Sequence, residues 1–106
     1  MIPKAFNNFI LDLIEKTNNQ VLNWTKSDED AFSLNSKDAS VTISYYLDID
    51  RELSYYTFNF INLSTKNQSG FKISSDEDDF NTMGKLFTLA SASANNIKDE
   101  LDNFFK

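Results

Sequence analysis

The chain has no cysteine and no histidine. Without cysteine there is no disulfide framework, thiol nucleophile, thiolate metal site or redox motif. Without histidine the usual general base, the usual zinc ligand and the usual near-neutral pH switch are gone. Glycine and proline are nearly absent too, at two and one residues. Gly70 and Gly84 stand alone, so no glycine-rich loop cradles a phosphate, and Asn and Asp must make most of the turns. Arg51 is the only arginine, and the formal net charge is −6. A nucleic-acid binder needs a basic stripe to displace counterions, so that class is excluded. Long apolar runs are missing as well. Nothing approaches the ~18 residues of a membrane span, and Asn7, Asn8 and Asp12 break up any secretory leader. The reading is of a cytoplasmic protein with no membrane contact.

What is present is one domain's worth of chain, 1–106, with 41% hydrophobic and 14% aromatic residues. At this length roughly two-thirds of the unfolded chain's surface can be buried. Phe6, Phe9, Ile10, Leu13 and Ile14 recur at helical spacing and predict a first helix. Pro3 fits its first turn, and Asn18-Asn19 supplies a left-handed stop. Period-two segments follow. Leu22 and Trp24 alternate with Asn23 and Thr25, and Phe32 and Leu34 flank Ser33. Val41, Ile43, Tyr45, Leu47 and Ile49 form the longest alternating row. In 53–63, Tyr56, Phe58 and Phe60 share a face while Ile61 and Leu63 fall on the other, which predicts a bulge or a doubly covered end. Phe71 and Ile73 mark a short last strand.

The breaks at 27–30, 35–38, 48–52 and 64–70 are polar and short, which suits antiparallel hairpins. A long helix is expected from Asp76 to Phe104. Ser75 is its cap and the acids at 76–79 complement its dipole. Its stripe runs Phe80, Met83, Phe87, Ala90, Ala94, Ile97, Leu101, Phe104. The small side chains at 90–94 allow close approach of the first helix. The expected fold is α+β: an antiparallel meander of about five strands, with the N-terminal and long C-terminal helices packed on one face, in the order α-β-β-β-β-β-α.

No set of residues reads as catalytic. The acids at 76–79 could hold a hard cation, but adjacent helical residues diverge by ~100° each and read as a solvated helix start. The run Ser27-Asp28-Glu29-Asp30 lacks the alternating ligands and glycine of a calcium loop. No carboxylate pair stands out for glycoside hydrolysis, and nothing would activate the plentiful hydroxyls. No enzyme activity, cofactor or metal is therefore expected.

The chain resembles a widespread group of short proteins from low-GC bacteria and their mobile elements. The likeness is carried by the helix ending Leu13-Ile14-Glu15-Lys16-Thr17, then Trp24, a run of short strands, an acidic helix start, and Leu86-Phe87 with small residues after it. The Ala/Ser run after Leu86-Phe87 departs from the charged residues of that pattern. The resemblance carries no activity with it.

The tyrosines offer the best candidate site. Tyr45-Tyr46 and Tyr55-Tyr56 lie on the two longest strands, so each pair sends one ring to each face. With Tyr45 and Tyr56 inward, Tyr46 and Tyr55 point outward among Thr42, Ser44, Asp48, Thr57 and Asn59. Tyr is a favoured interface anchor, and cross-strand Tyr pairs also stabilise a bare sheet. The expected protein-binding residues are Tyr46, Tyr55, Asp48, Asp50 and Thr57. The expected function is a small acidic interaction module that inhibits a basic protein partner, of the immunity, antitoxin or anti-defence type. A dedicated secretion chaperone is one alternative. A small enzyme or carboxylate metal binder is another. The open face equally admits a second copy of the chain.

Overall fold

A computed structural model describes residues 1–95 and 101–105. A 3-10 turn, Lys4–Phe6, runs into α1, Asn7–Asn18. Five strands follow: β1 Thr25–Asp28, β2 Ala31–Asn35, β3 Ala39–Asp48, β4 Leu53–Asn62 and β5 Gln68–Ser74. Helix α2, Phe80–Asn95, closes the order. The strands form one antiparallel sheet in the sequence order β1-β2-β3-β4-β5. The fold is α+β, with both helices on one face, as the patterning predicts.

Helix α1 buries Ile10, Leu13, Ile14 and Thr17, a stripe at helical spacing. Phe6 sits edge-on to Phe58 at 5.9 Å and against Phe71 at 5.3 Å, so the start of the helix is pinned over β4 and β5. The helix ends at Asn18 with Asn19 as its cap, where the sequence places the stop, but neither asparagine is the left-handed residue. Gln20 takes the left-handed conformation, with φ 62°. Its N–H donates to the Thr17 carbonyl at 3.0 Å, and the Val21 N–H donates to the Lys16 carbonyl at 2.9 Å. These paired bonds satisfy the last carbonyls of the helix.

Leu22 and Trp24 are not strand residues, although they alternate. The Trp24 N–H donates to Ser93 Oγ at 3.0 Å, and the Ser93 hydroxyl donates to the Leu22 carbonyl at 3.3 Å. The connector is thus fastened to α2 rather than to the sheet. Its docking point is the small-residue stretch, where Ala90 is fully buried; α1 and α2 also touch each other. Strand β1 begins at Thr25, occupies part of the stretch 27–30 that reads as a hairpin, and is exposed throughout.

The β3–β4 ladder runs unbroken from Ala39 opposite Asn62 to Asp48 opposite Leu53. The expected bulge in 53–63 is absent. Ile61 is simply half-buried on the outer face, and Leu63 lies past the strand end, largely exposed. Beneath the helices, Phe32, Val41, Ile43, Phe58 and Ile73 meet Ile10, Met83 and Leu86 in one core.

Helix α2 starts at Phe80, four residues after the expected Asp76. Residues 75–79 form a linking turn whose side chains bond elsewhere. Ser75 Oγ accepts the Ser54 N–H at 3.1 Å, so it caps no helix. Glu77 turns back to accept the Ser74 N–H at 2.7 Å and also pairs with the amino group of Met1. Asp79 accepts the Ile2 N–H at 2.7 Å. At the other end, Ile97 and Glu100 lie outside the described residues. Residues 101–103 are helical, but Leu101 and Phe104 are exposed, so the apolar stripe does not continue into the core there.

Candidate protein-binding face

Strand alternation and register decide what the uncovered face presents. On β3 the even-numbered residues point outward, and on β4 the odd-numbered ones do. Thr42, Ser44, Thr57 and Asn59 therefore form a polar centre. The hydroxyls of Ser33 and Thr42 are 3.0 Å apart across β2 and β3. Among the described residues no element covers this face.

At one end of it Tyr46 and Tyr55 are direct partners across β3 and β4. Their rings stack with centroids 6.3 Å apart and planes inclined by 27°. Tyr46 is 62% exposed, and Tyr55 is half-buried. The ammonium of Lys72 on β5 lies 4.6 Å from the centroid of the Tyr55 ring. That cation–π contact is missed by period-two reasoning. It arises because Lys72 stands opposite Thr57, diagonal to Tyr55.

Tyr45 and Tyr56 take the helix-covered side, their rings 5.3 Å apart. The Tyr45 hydroxyl donates to Ser54 Oγ at 2.9 Å. Tyr56 packs against Phe80 and Phe87, and burial, with Tyr45 beside it, raises its phenol above the ordinary 10.0. Its oxygen lies over Gly84, where an added Cβ would come within 3.3 Å.

Asp48 shares the outer face with Tyr46, and Thr57 sits between Ser44 and Lys72. Asp50 is exposed in the β3–β4 turn just beyond the strand ends. Asp48 accepts the Arg51 N–H at 3.2 Å, and its other oxygen lies 3.8 Å from Arg51 Nε. The structure thus gathers Tyr46, Tyr55, Asp48 and Thr57 on one surface, with Asp50 at its margin. The centre on β3 and β4 is uncharged and Lys72 stands beside it on β5, so the negative potential belongs to the end of the face and not to its middle.

Among the described residues, hollows lie elsewhere. One, of about 280 Å³, opens between α1 and the inner sheet, lined by Phe9, Leu13, Leu22, Leu34 and Phe60. Another, of about 430 Å³, runs along α2 beside Tyr56, Phe80, Gly84 and Lys85. Neither includes an expected site residue. Among the described residues no three carboxylates gather as a metal-holding group, and no helix is long and apolar enough to cross a membrane. Comparison with protein-family models, with curated proteins and with solved structures finds no match.

Proposed function

We propose that this chain is a protein-interaction module that holds a basic protein partner on the open face of its sheet and so inhibits it. The supporting observation is the stacked Tyr46–Tyr55 pair, with the Tyr46 ring exposed at one end of a face that no element covers among the described residues. Large, stiff, amphipathic rings make interface anchors at low entropic cost. The surplus of negative charge steers a basic partner toward it. A partner whose activity depends on a basic surface loses that surface when covered.

The test is capture of a partner, followed by titration calorimetry with the double variant Tyr46→Ala, Tyr55→Ala. Affinity should fall by ~2 kcal/mol or more if either ring is a hot spot. Unchanged affinity, with the fold intact by circular dichroism, moves the binding site off this face.

A further inference from the structure

The meander brings together residues that are far apart in the sequence. In a five-stranded up-and-down sheet, the β1–β2 turn, the β3–β4 turn and the exit from β5 all lie at the same end. The first carries Asp28, Glu29 and Asp30, and the second Asp48, Asp50 and Glu52. The third is the run of four acids at 76–79. Ten of the chain's 16 carboxylates therefore share one end of the sheet. The turns at the far end carry Lys37 with Asp38, and Lys66. Among the described residues the acidic end has two ion pairs, Arg51 with Asp48 and the Met1 amino group with Glu77. Most of its charge has no internal partner there.

The tyrosine pair stands at this acidic end of the sheet. Tyr55 is opposite Ser74 on β5, and the Ser74 hydroxyl donates to the carboxylates of Asp76 and Glu77. On the other flank, the Asp30 carbonyl accepts the Tyr45 N–H at 2.9 Å, and Asp28 pairs with Ala31. Ala31 in turn pairs with Ser44, next to Tyr46 on the outer face. One ring of the pair already holds a cation, since Lys72 lies over Tyr55. The more exposed ring, Tyr46, has none over it among the described residues.

We infer that the occupant of this end is an arginine-bearing protein surface, with one guanidinium stacked on Tyr46 and neighbouring cations against the surrounding carboxylates. The inference rests on the proposed use of the outer face and adds the chemistry of what docks there. A guanidinium is planar. It lies flat on an aromatic ring while its in-plane N–H groups donate to carboxylates at the rim. An ammonium also sits over a ring, as Lys72 does over Tyr55, but it cannot lie flat and donate in the ring's plane to carboxylates at the rim. The site therefore distinguishes arginine from lysine, which net charge alone does not.

Two decapeptides of alternating residues, arginine–glycine and lysine–glycine, serve as probes. They are titrated into the full chain by calorimetry and by amide chemical shifts at low salt. The arginine peptide should bind about two- to fivefold more tightly, the margin that flat stacking with in-plane donation adds over a bare ammonium. Its shifts should centre on 28–30, 46–55 and 74–78. Tyr46→Leu should erase the preference by weakening the arginine peptide more than the lysine peptide, and Tyr46→Phe should keep it. Asp28→Asn with Asp50→Asn should weaken both peptides alike. Equal affinities in the parent chain, an unaltered ratio in Tyr46→Leu, or shifts centred elsewhere would overturn the inference. If a captured partner still depends on Tyr46 and Tyr55 while the peptides show no preference, the docking face stands and its arginine chemistry falls. If the partner ignores both rings, the docking face itself falls.

Discussion

The indole Nε1 of Trp24 donates to Thr17 Oγ1 at 2.9 Å, and both residues are buried. This bond locks the last turn of α1 to the connector that feeds the sheet. The same tryptophan's backbone N–H bonds Ser93, so one residue ties α1, β1 and α2 together. Thr17→Val keeps the volume and removes the acceptor, leaving the indole N–H stranded away from water. Denaturant titration followed by Trp24 fluorescence should show a loss of ~1–3 kcal/mol, the cost of an unsatisfied buried donor. An unchanged midpoint would mean the bond is not formed in solution.

Gly70 stands opposite Asn59 in the β4–β5 ladder. A Cβ there would clash with Asn59 Oδ1 and lie 2.5 Å from the Phe58 carbonyl oxygen. The first obstacle is a side chain that can turn away. The second is backbone of a central strand and cannot. Gly70→Ala should therefore destabilise by ~1–3 kcal/mol or more. Adding Asn59→Ser should recover only part of that loss. Full recovery in the double variant would place the clash in the side chain alone, and the close backbone approach would be refuted.

Legibility in the sequence follows how local each signal is. The β3 row and the α1 stripe are legible because burial on one face writes a period into consecutive residues. Strand β1 writes none, since Thr25, Lys26, Ser27 and Asp28 are all exposed, and their place comes from pairing with β2. Leu22 and Trp24 mimic a strand because the core takes both from an extended connector. The acids at 76–79 read as a helix start by charge alone. Their true partners, Met1, Ile2 and Ser74, include two more than seventy positions away, and no window contains them. The outward rings at Tyr46 and Tyr55 follow from alternation. Lys72 over Tyr55, and the convergence of three acidic segments, follow only from register and strand order.

Helix α2 offers a contrast between two neighbours. Phe87 packs edge-on against Phe32 at 5.3 Å and beside Tyr56 at 5.3 Å, while Lys85 is exposed. Phe87→Ala should cost about 3 kcal/mol, the lower end for a core phenylalanine because the ring is only partly enclosed. Lys85→Ala should change stability by less than ~0.5 kcal/mol. Thermal and urea melts of the two variants decide the matter. Comparable losses would refute the assigned helix face.

Glu77 makes stability depend on pH in the acid range. Its carboxylate accepts from the Met1 amino group first, then from the Ser74 N–H and hydroxyl, and these bonds hold it at about 2 against the ordinary 4.5. Each bond favours the ionised form, which the unfolded chain does not favour. The folded state therefore binds this proton less readily than the unfolded state. Stability from Glu77 is complete above 4.5 and drains away as pH falls from there through about 2. Glu77→Gln removes the titration. At pH 7 the variant should melt below the parent chain, and the gap between the two curves should close steadily across that acid window. The carboxyl carbon of Glu77, followed by NMR, should titrate at about 2 rather than 4.5. Two melting curves that stay parallel from pH 7 to pH 2 would mean that neither the N-terminal amino group nor Ser74 holds the carboxylate in solution. The tether between the chain's start and the β5–α2 turn would then be absent.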